Sequence, residues 1–196
     1  MSPRIADSEV KKPRLIVVSA PSGAGKTTLC EMLLKEFPQI ALSISTTTRA
    51  KRPNEQHGVH YWYVSPTEFQ DKVKRGDFAE WAKVHGERYG TSKQTIEQAL
   101  GQNKHVLFDI DVQGAMSLQK AYQSRVLLLF IHPPSVEELQ KRLVARRGDS
   151  TTSIETRLQN AYNELAWSAK FDYQILNDNL SRAYQELKQI VTKECL

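Results

Sequence analysis

Five short segments of mostly apolar residues recur along the chain, at residues 15–18, about 41–45, 105–109, 125–131 and 173–176. The first reads LIVV and leads directly into a turn of small residues. A continuous apolar run rich in β-branched residues is typical of a strand that is buried on both faces of a parallel sheet. These segments therefore predict a five-stranded parallel sheet.

Helical periodicity follows most of these segments. It predicts helices at about 25–36, 135–146, 153–168 and 180–193, of which the second begins with a Ser-x-x-Glu capping box. Strands that alternate with helices are typical of a doubly wound α/β fold with right-handed crossovers. The sequence therefore predicts an α/β core.

Residues 46–91 interrupt this alternation, because they are rich in turns and aromatic side chains. A second capping box at residues 65–68 predicts a short helix there. We interpret this stretch as a small α+β insert packed on the main sheet. Trp62 and Trp81, and Trp167 elsewhere in the chain, are interpreted as packing residues. Residues 1–13 are polar and of mixed charge, and are expected to form a flexible arm.

Composition excludes several classes of protein. A chain of 196 residues with 25% charged and 40% hydrophobic residues is typical of one globular domain with inserts. Its two cysteines are far apart, which argues against a disulfide scaffold or a zinc site. The longest apolar run is too short to span a membrane and the N-terminal residues resemble no signal peptide, so a cytoplasmic location is expected.

The net charge of +5 leaves three interpretations open. It could mark a face for nucleic acid, a site lined with cations for phosphates, or a basic surface without a specific role. Composition does not decide between them.

The turn after the first strand reads APSGAGKT, which is the P-loop pattern with Ala in place of the first Gly. Gly23 and Gly25 allow backbone N–H groups to surround phosphate oxygens at a helix N-terminus. Lys26 can reach the terminal phosphates, and the Thr27 hydroxyl can ligate Mg²⁺. The alternative, a glycine-rich turn with an exposed lysine, is less favoured because Lys and Thr follow each other at the helix start. The candidate ATP-binding residues are Ala20, Pro21, Ser22, Gly23, Ala24, Gly25, Lys26, Thr27 and Thr28.

Two acids, Asp109 and Asp111, lie at the end of the third predicted strand. Asp109 ends that strand at the carboxyl edge of the sheet, near the P-loop, and is a candidate metal ligand together with Thr27. The alternative for Asp109 is a helix cap, and for Asp111 capping and ligand contact are equally favoured.

Hydroxyl groups and arginines follow the second strand, in the segment from Ser43 to Arg52. Arg49 and Arg52 suit a phosphate monoester, because the guanidinium fork binds oxyanions through two hydrogen bonds. The hydroxyls of Tyr61 and Tyr89 could donate to the same phosphate. Taken alone, the basic segment is more typical of a solvated loop.

Taken together, these segments resemble the guanylate kinase family. The matching motifs are SAPSGAGKT, SxSxTTRxxR, GxxY (58–61), FxEWA (78–82), YGT (89–91), DIDxQG (109–114), PPS (133–135) and RLxxR (142–146). Each is a weak or moderate signal, but in this order and spacing they are specific, and the similarity extends from residue 14 to the C-terminus. Thr91 stands where many members have Ser, which keeps the hydroxyl.

The resemblance implies a P-loop NTPase three-layer fold with a five-stranded parallel core. The core would comprise residues 14–45, 92–146 and 158–196, with a GMP-binding insert at 46–91 and a helical lid at about 147–157. The implied reaction transfers the γ-phosphoryl group of ATP to GMP, with dGMP as an expected further substrate and Mg²⁺ as the cofactor, in guanine nucleotide synthesis and recycling. Nucleic acid and membranes are not expected partners, and the oligomeric state is left open.

The resemblance also implies roles for individual residues. The GMP phosphate would be held by Arg49, Arg52, Tyr61 and Tyr89. The guanine would be recognised by Ser45, Glu80, Thr91 and Asp111, with Asp109 near the metal or the acceptor. The catalytic residues would be Lys26, Arg49, Arg142, Arg146 and Arg157, of which the last three resemble lid arginines.

Glu80 and Arg142 each have a simpler alternative. A carboxylate can accept both N1–H and the 2-amino group of guanine, whereas adenine offers an acceptor at N1. Without the resemblance, however, Glu80 would be interpreted as an exposed acid at a strand edge. Arg142 and Arg146 could simply form a solvated helix face with Glu138, but their place near the predicted lid favours the functional interpretation.

Three other functions remain as alternatives. The chain could be an inactive relative that binds a protein, a P-loop kinase for another phosphate acceptor, or a nucleic-acid-binding protein. The intact P-loop, the combination of Ser45 with Glu80, and the absence of a known nucleic-acid-binding pattern respectively disfavour them.

Overall fold

The computed structural model describes residues 11–84, 86–145 and 151–196, with side chains in the last range from residue 158 onward. In chain order the strands are β1 (Leu15–Ser19), β2 (Ala41–Leu42), β3 (Thr46–Thr47), β4 (Trp62–Tyr63), β5 (Phe78–Val84), β6 (Glu87–Ser92), β7 (Val106–Asp109), β8 (Val126–His132) and β9 (Tyr173–Leu176). The helices are α1 (Lys26–Glu36), α2 (Pro66–Arg75), α3 (Lys93–Gly101), α4 (Val112–Tyr122), α5 (Val136–Ala145), α6 (Thr151–Ala166) and α7 (Leu180–Cys195).

The central sheet has five parallel strands in the order β2-β7-β1-β8-β9, as the sequence predicted. Successive side chains of β1 alternate between two apolar layers. Ile16 and Val18 belong to the layer that includes Leu29 of α1 and Leu187 of α7. Leu15 and Val17 belong to the opposite layer, with residues of α3 and α4. Helices therefore cover both faces, which explains why this strand is continuously apolar.

The helices agree with the sequence in part. The four predicted outside the insert are present as α1, α5, α6 and α7, with ends that differ by a few residues. α3 and α4 were not assigned bounds from the sequence. None of the helices in the described ranges is long and apolar enough to span a bilayer. Of the predicted flexible arm, residues 1–10 lie outside the described residues, and Lys11 donates from Nζ to the carbonyl oxygen of Lys193.

A second sheet, in the order β4-β3-β6-β5, is built from the segment between β2 and α3. Its helix α2 begins with the predicted capping box, in which Ser65 Oγ accepts from Glu68 N at 3.2 Å and Glu68 Oε2 accepts from Ser65 N at 2.7 Å. The boundaries proposed for the insert, the core and the lid remain predictions.

The interpretation of the tryptophans as packing residues is wrong in its simple form. Trp62 is 44% exposed, Trp81 47% and Trp167 38%. The Trp81 ring lies 6.3 Å from the Phe69 ring of α2 in an edge arrangement, and β5, which carries Trp81, is an edge strand of the second sheet. Trp81 therefore packs against α2 while nearly half of it stays exposed.

Candidate active site

A cavity of about 300 Å³ lies between the two sheets, at the carboxyl ends of β1 and β7. It brings together most of the residues that the sequence singled out, from four separate segments of the chain. Those that line it are Ala20, Pro21, Ser22, Gly23, Gly25, Lys26, Thr27, Thr28, Ser45, Arg52, Tyr61, Glu80, Tyr89, Asp109 and Asp111. Of the remaining candidates, Ala24, Arg49 and Thr91 lie outside the lining, as does Arg142.

The P-loop curls through two glycines. Gly23 and Gly25 have φ values of 96° and 95°, in the left-handed region that other residues rarely adopt. A Cβ on Gly25 would also lie 2.3 Å from Nδ2 of Asn177, which donates to the Ala24 carbonyl oxygen at 2.7 Å. Ala24, within the loop, is fully buried. Asn177, which follows β9, holds the loop in place through its hydrogen bond to Ala24.

Asp109 links the P-loop to the end of β7. Its Oδ1 lies 2.6 Å from Nζ of Lys26, and its Oδ2 accepts from Thr27 Oγ1 at 2.8 Å. Burial opposes the charged form of Lys26, but the charge and hydrogen bond of Asp109 outweigh it and raise the pKa of the lysine. Lys26 is therefore a cation at neutral pH, placed at the mouth of an anion-binding loop.

The Thr27 hydroxyl and the Asp109 carboxylate are oxygen donors of the kind that a small, hard divalent cation prefers. No cluster of three or more His, Cys, Asp or Glu residues that could hold a metal occurs among the described residues. This donor set fits a cation that takes its other ligands from water and from a bound triphosphate, as Mg²⁺ does.

The second acid, Asp111, is a helix cap, one of the two roles that the sequence left open, and its contact with a ligand stays a prediction. Its Oδ1 accepts from Gly114 N at 2.9 Å, which caps the N-terminus of α4. It also lines the cavity, where it faces Glu80. The helix-cap alternative for Asp109 is wrong, because Asp111 occupies that position.

Glu80 is buried, so its interpretation as an exposed acid is wrong. The Thr91 hydroxyl donates to its Oε1 at 2.5 Å. Burial raises the pKa of Glu80 to about 7, with a further contribution from the charge of Asp111 and an opposing one from Thr91. A Cβ on Gly114 would lie 2.9 Å from Glu80 Oε2, so this glycine makes room for the carboxylate.

The aromatic and basic candidates lie close to one another on the second sheet and its loops. The rings of Tyr61 and Tyr89 are 5.9 Å apart. Arg49 does not line the cavity, but its guanidinium carbon lies 5.3 Å from the centre of the Tyr61 ring. Burial lowers the pKa of Arg49, but its hydrogen bond with Glu55 and the nearby Tyr89 outweigh burial and raise that pKa. Arg52 lines the cavity and keeps 60% of its side chain exposed.

Sequence reasoning missed Glu164 of α6, which also lines the cavity. Burial raises the pKa of Glu164 to about 7, opposed by the charge of Lys26 and reinforced by that of Asp111, and its carboxylate accepts a hydrogen bond from the backbone of Ser22. Nothing in the local sequence distinguishes Glu164 from the other polar residues of its helix.

The predicted lid arginines are described only in part. Arg142 Nε lies 3.3 Å from Glu138 Oε1, the pairing that its simpler alternative predicted. Arg146 lies outside the described residues, and Arg157 lies in α6 at a position whose side chain is outside them as well. The role of these arginines stays a prediction.

Comparison with known proteins gives a consistent result. The family model described as guanylate kinase matches residues 12–194. A guanylate kinase from Geobacter metallireducens is 47% identical over 92% of this chain and 88% of its own, and one from Hyphomonas neptunium is 46% identical over 93% and 84%. A crystal structure of guanylate kinase from Anaplasma phagocytophilum superposes with a TM-score of 0.78 at 29% identity, over 95% of this chain and 89% of that one.

Proposed function

The chain belongs to the guanylate kinase family and is an ATP:GMP phosphotransferase, and we propose that the γ-phosphoryl group passes from ATP to GMP within the cavity between its two sheets. The observation that carries this location is that Lys26 of the P-loop and the buried Glu80 line the same cavity. The products are ADP and GDP.

The ATP end of the cavity is the P-loop. Its backbone N–H groups and the N-terminus of α1 bind the phosphates of ATP, and Lys26 neutralises the oxygens between the β and γ positions. Thr27 and Asp109 would hold Mg²⁺, which supplies additional positive charge to the same phosphates. Lys26 is positioned by Asp109 and by the carbonyl oxygen of Ile110, 3.0 Å from its Nζ.

At the GMP end, we assign the phosphate to Arg49, Arg52, Tyr61 and Tyr89. This set combines two guanidinium groups with two phenol donors, which matches a phosphate dianion in both charge and hydrogen bonding. Because a phosphate dianion is already a nucleophile, the transfer needs alignment and charge neutralisation more than a general base.

The guanine is assigned to Glu80 and Asp111, with Ser45 beside them and Thr91 behind Glu80. In its charged form Glu80 accepts from N1–H and the 2-amino group of guanine. Adenine offers no donor at N1 and would leave the buried carboxylate with Thr91 as its donor but no donor from the base, so AMP is rejected. The assigned contacts are to the base and the phosphate and none is to the ribose 2′-hydroxyl, which dGMP lacks. We therefore expect dGMP to be a substrate as well.

Three arginines complete the proposal. Arg142, Arg146 and Arg157 match the family's lid motif, and we assign them to stabilising the negative charge that develops between donor and acceptor.

We further propose that the protein is a cytoplasmic enzyme of guanine nucleotide synthesis and recycling. An inactive protein-binding relative and a kinase for another acceptor are not favoured, because the P-loop and Glu80 are intact and share one cavity.

A coupled assay of ADP release tests this function with GMP, dGMP, AMP and no acceptor. Turnover is expected with GMP and dGMP, and AMP is expected to stay near the acceptor-free rate. Absence of GMP-dependent turnover would overturn the assignment.

The variant Lys26→Ala tests the location of the reaction. It is expected to lower kcat by about 1,000-fold or more, because the charge it removes acts on the transferred group, while the Kd for GMP measured by calorimetry stays within about twofold. Lys35→Ala, an exposed lysine on the same helix, is the matched control and should leave both values unchanged. Equal losses in the two variants would remove Lys26 from the chemistry.

A further inference from the structure

Glu55, in the loop between β3 and β4, receives an unusual number of donors for a residue outside the cavity lining. Its Oε1 accepts from Arg49 Nη2 at 2.7 Å and lies 3.8 Å from Arg52 Nη1. Its Oε2 accepts from the backbone N of Arg52 at 2.9 Å and from the Tyr63 hydroxyl at 2.7 Å. One carboxylate thus holds both arginines that we assign to the GMP phosphate.

The carboxylate of Glu55 stays charged at any physiological pH. Burial favours its neutral form, but hydrogen bonds from Arg49, from the backbone of Arg52 and from Tyr63 outweigh burial and hold its pKa at about 2. The side chain is 13% exposed, so these hydrogen bonds form in a partly desolvated environment where they are strong.

Arg49 is fixed from several directions at once. Its guanidinium carbon lies 5.3 Å and 5.8 Å from the ring centres of Tyr61 and Tyr63. Its Nη1 donates to the carbonyl oxygen of Ala50 at 2.8 Å, and its backbone N donates to Thr47 Oγ1 at 3.1 Å. Glu55 is the only one of these partners that carries a charge, and it takes one of the N–H groups of the fork while others stay available for a ligand.

We propose that Glu55 is a positioning residue, which holds Arg49 and Arg52 in the conformation that receives the GMP phosphate. The proposal rests on the function proposed above. Freezing one long side chain before the ligand arrives is worth roughly two- to tenfold in affinity. Glu55 does this for the side chain of Arg49, and it holds Arg52 through its backbone N.

Charge alone predicts the opposite effect of Glu55. A carboxylate near the phosphate site repels a phosphate dianion and cancels part of the charge of the arginines. Removing its charge would then strengthen GMP binding. If Glu55 acts by positioning, removing its charge weakens GMP binding instead, so the sign of the change decides between the two effects.

Glu55→Gln, with steady-state kinetics for both substrates, is the test. We expect KM for GMP to rise about tenfold, because two arginines lose their anchor, with KM for ATP unchanged and kcat lowered less than threefold. Glu87→Gln is the matched control, since Glu87 accepts from Thr48 Oγ1 at 2.6 Å on the same sheet but contacts neither arginine in the described residues. KM for GMP in this control should stay within twofold of the wild-type value.

Two further variants separate positioning from a general structural effect. Tyr63→Phe removes one donor to Glu55 outside the cavity and should raise KM for GMP two- to threefold. In an Arg49→Met background, Glu55→Gln should cost clearly less than in the wild type, because part of its effect passes through Arg49.

An unchanged or lower KM for GMP in Glu55→Gln would overturn the proposal, provided that wild-type turnover with GMP is normal. Absence of wild-type turnover would instead overturn the proposed function. If Glu55→Gln does not fold, Tyr63→Phe decides alone, and a KM for GMP at the wild-type value in that variant rejects the proposal.

Discussion

Glu55 and Glu80 lie on the same small sheet and its loops, but Glu55 is partly buried and Glu80 is buried, and their carboxyl groups have opposite properties. The pKa of Glu55 is held at about 2, whereas that of Glu80 is raised to about 7. Glu55 is paired with guanidinium groups and a phenol. Glu80 has the hydroxyl and the backbone of Thr91 as donors, neither of them charged, and faces a second acid, Asp111.

The difference shows that the available donors, and not burial alone, decide the state of a buried acid. Glu55 already has its partners, so it supports the structure around it. Glu80 lacks enough donors for a stable charge, and the guanine that we assign to it brings two. A buried acid with too few donors is therefore a better indicator of a ligand site than one that is fully paired.

The largest effect that would sharpen this comparison is expected from Glu80→Gln. The amide has one neutral acceptor oxygen, whereas the two donors of guanine need both oxygens of a carboxylate. We therefore expect kcat/KM for GMP to fall about 100-fold. KM for ATP should not change, because Glu80 does not contact the P-loop. A parallel loss in ATP binding, measured by calorimetry without GMP, would contradict the assignment.

The next effect concerns the free energy of unfolding, whose dependence on pH has opposite signs for Glu80 and Glu55. The pKa of Glu80 in the folded state, about 7, is above its ordinary value of 4.5, so its contribution is fully present below pH 4.5 and is lost as pH rises through 7. The pKa of Glu55 is lowered, so its contribution is present above pH 4.5 and is lost only as pH falls through 2.

Urea unfolding at pH 5 and pH 8 measures this difference. Relative to wild type, Glu80→Gln should gain on the order of 2 kcal/mol in unfolding free energy between pH 5 and pH 8, because only wild type has the Glu80 carboxyl whose contribution is lost there. Glu55→Gln should differ from wild type by the same amount at both pH values. Parallel curves for Glu80→Gln and wild type would show that Glu80 titrates normally.

The smallest effect is expected from Gly114→Ala, which crowds Glu80 without changing its charge. The added Cβ would lie 2.9 Å from Oε2 of Glu80, so the carboxylate must shift by a few tenths of an ångström. KM for GMP should rise about fivefold, the cost of one weakened charged hydrogen bond. Gly101→Ala in α3, where a Cβ meets nothing within 4 Å, is the control. A similar KM in both variants would show that the space beside Gly114 is not needed.

The features that could be predicted from sequence depend on residues close together in the chain. The P-loop lies within one turn, and its strand and helix have strong local patterns, so Lys26 and Thr27 could be assigned with their roles. The capping box of α2 is also local, since Ser65 and Glu68 satisfy each other within one turn.

The remaining features depend on contacts between distant segments. The environment of Glu80 is set by Thr91 and by Asp111, which caps α4, so a role for Glu80 was predicted only through the family resemblance and its burial was not predicted. Glu164 reaches the P-loop from α6, more than a hundred residues away in sequence. Glu55 does have a local signal, an acid three residues after Arg52, but such pairs are common in solvated loops.

A crystal structure of the protein with GMP tests the central claim most directly. The claim predicts that guanine N1 and the 2-amino group lie within hydrogen-bond distance of Glu80, and that the phosphate contacts Arg49 while Arg49 keeps its contact with Glu55. A guanine ring bound away from Glu80, or a phosphate that contacts neither Arg49 nor Arg52, would contradict it.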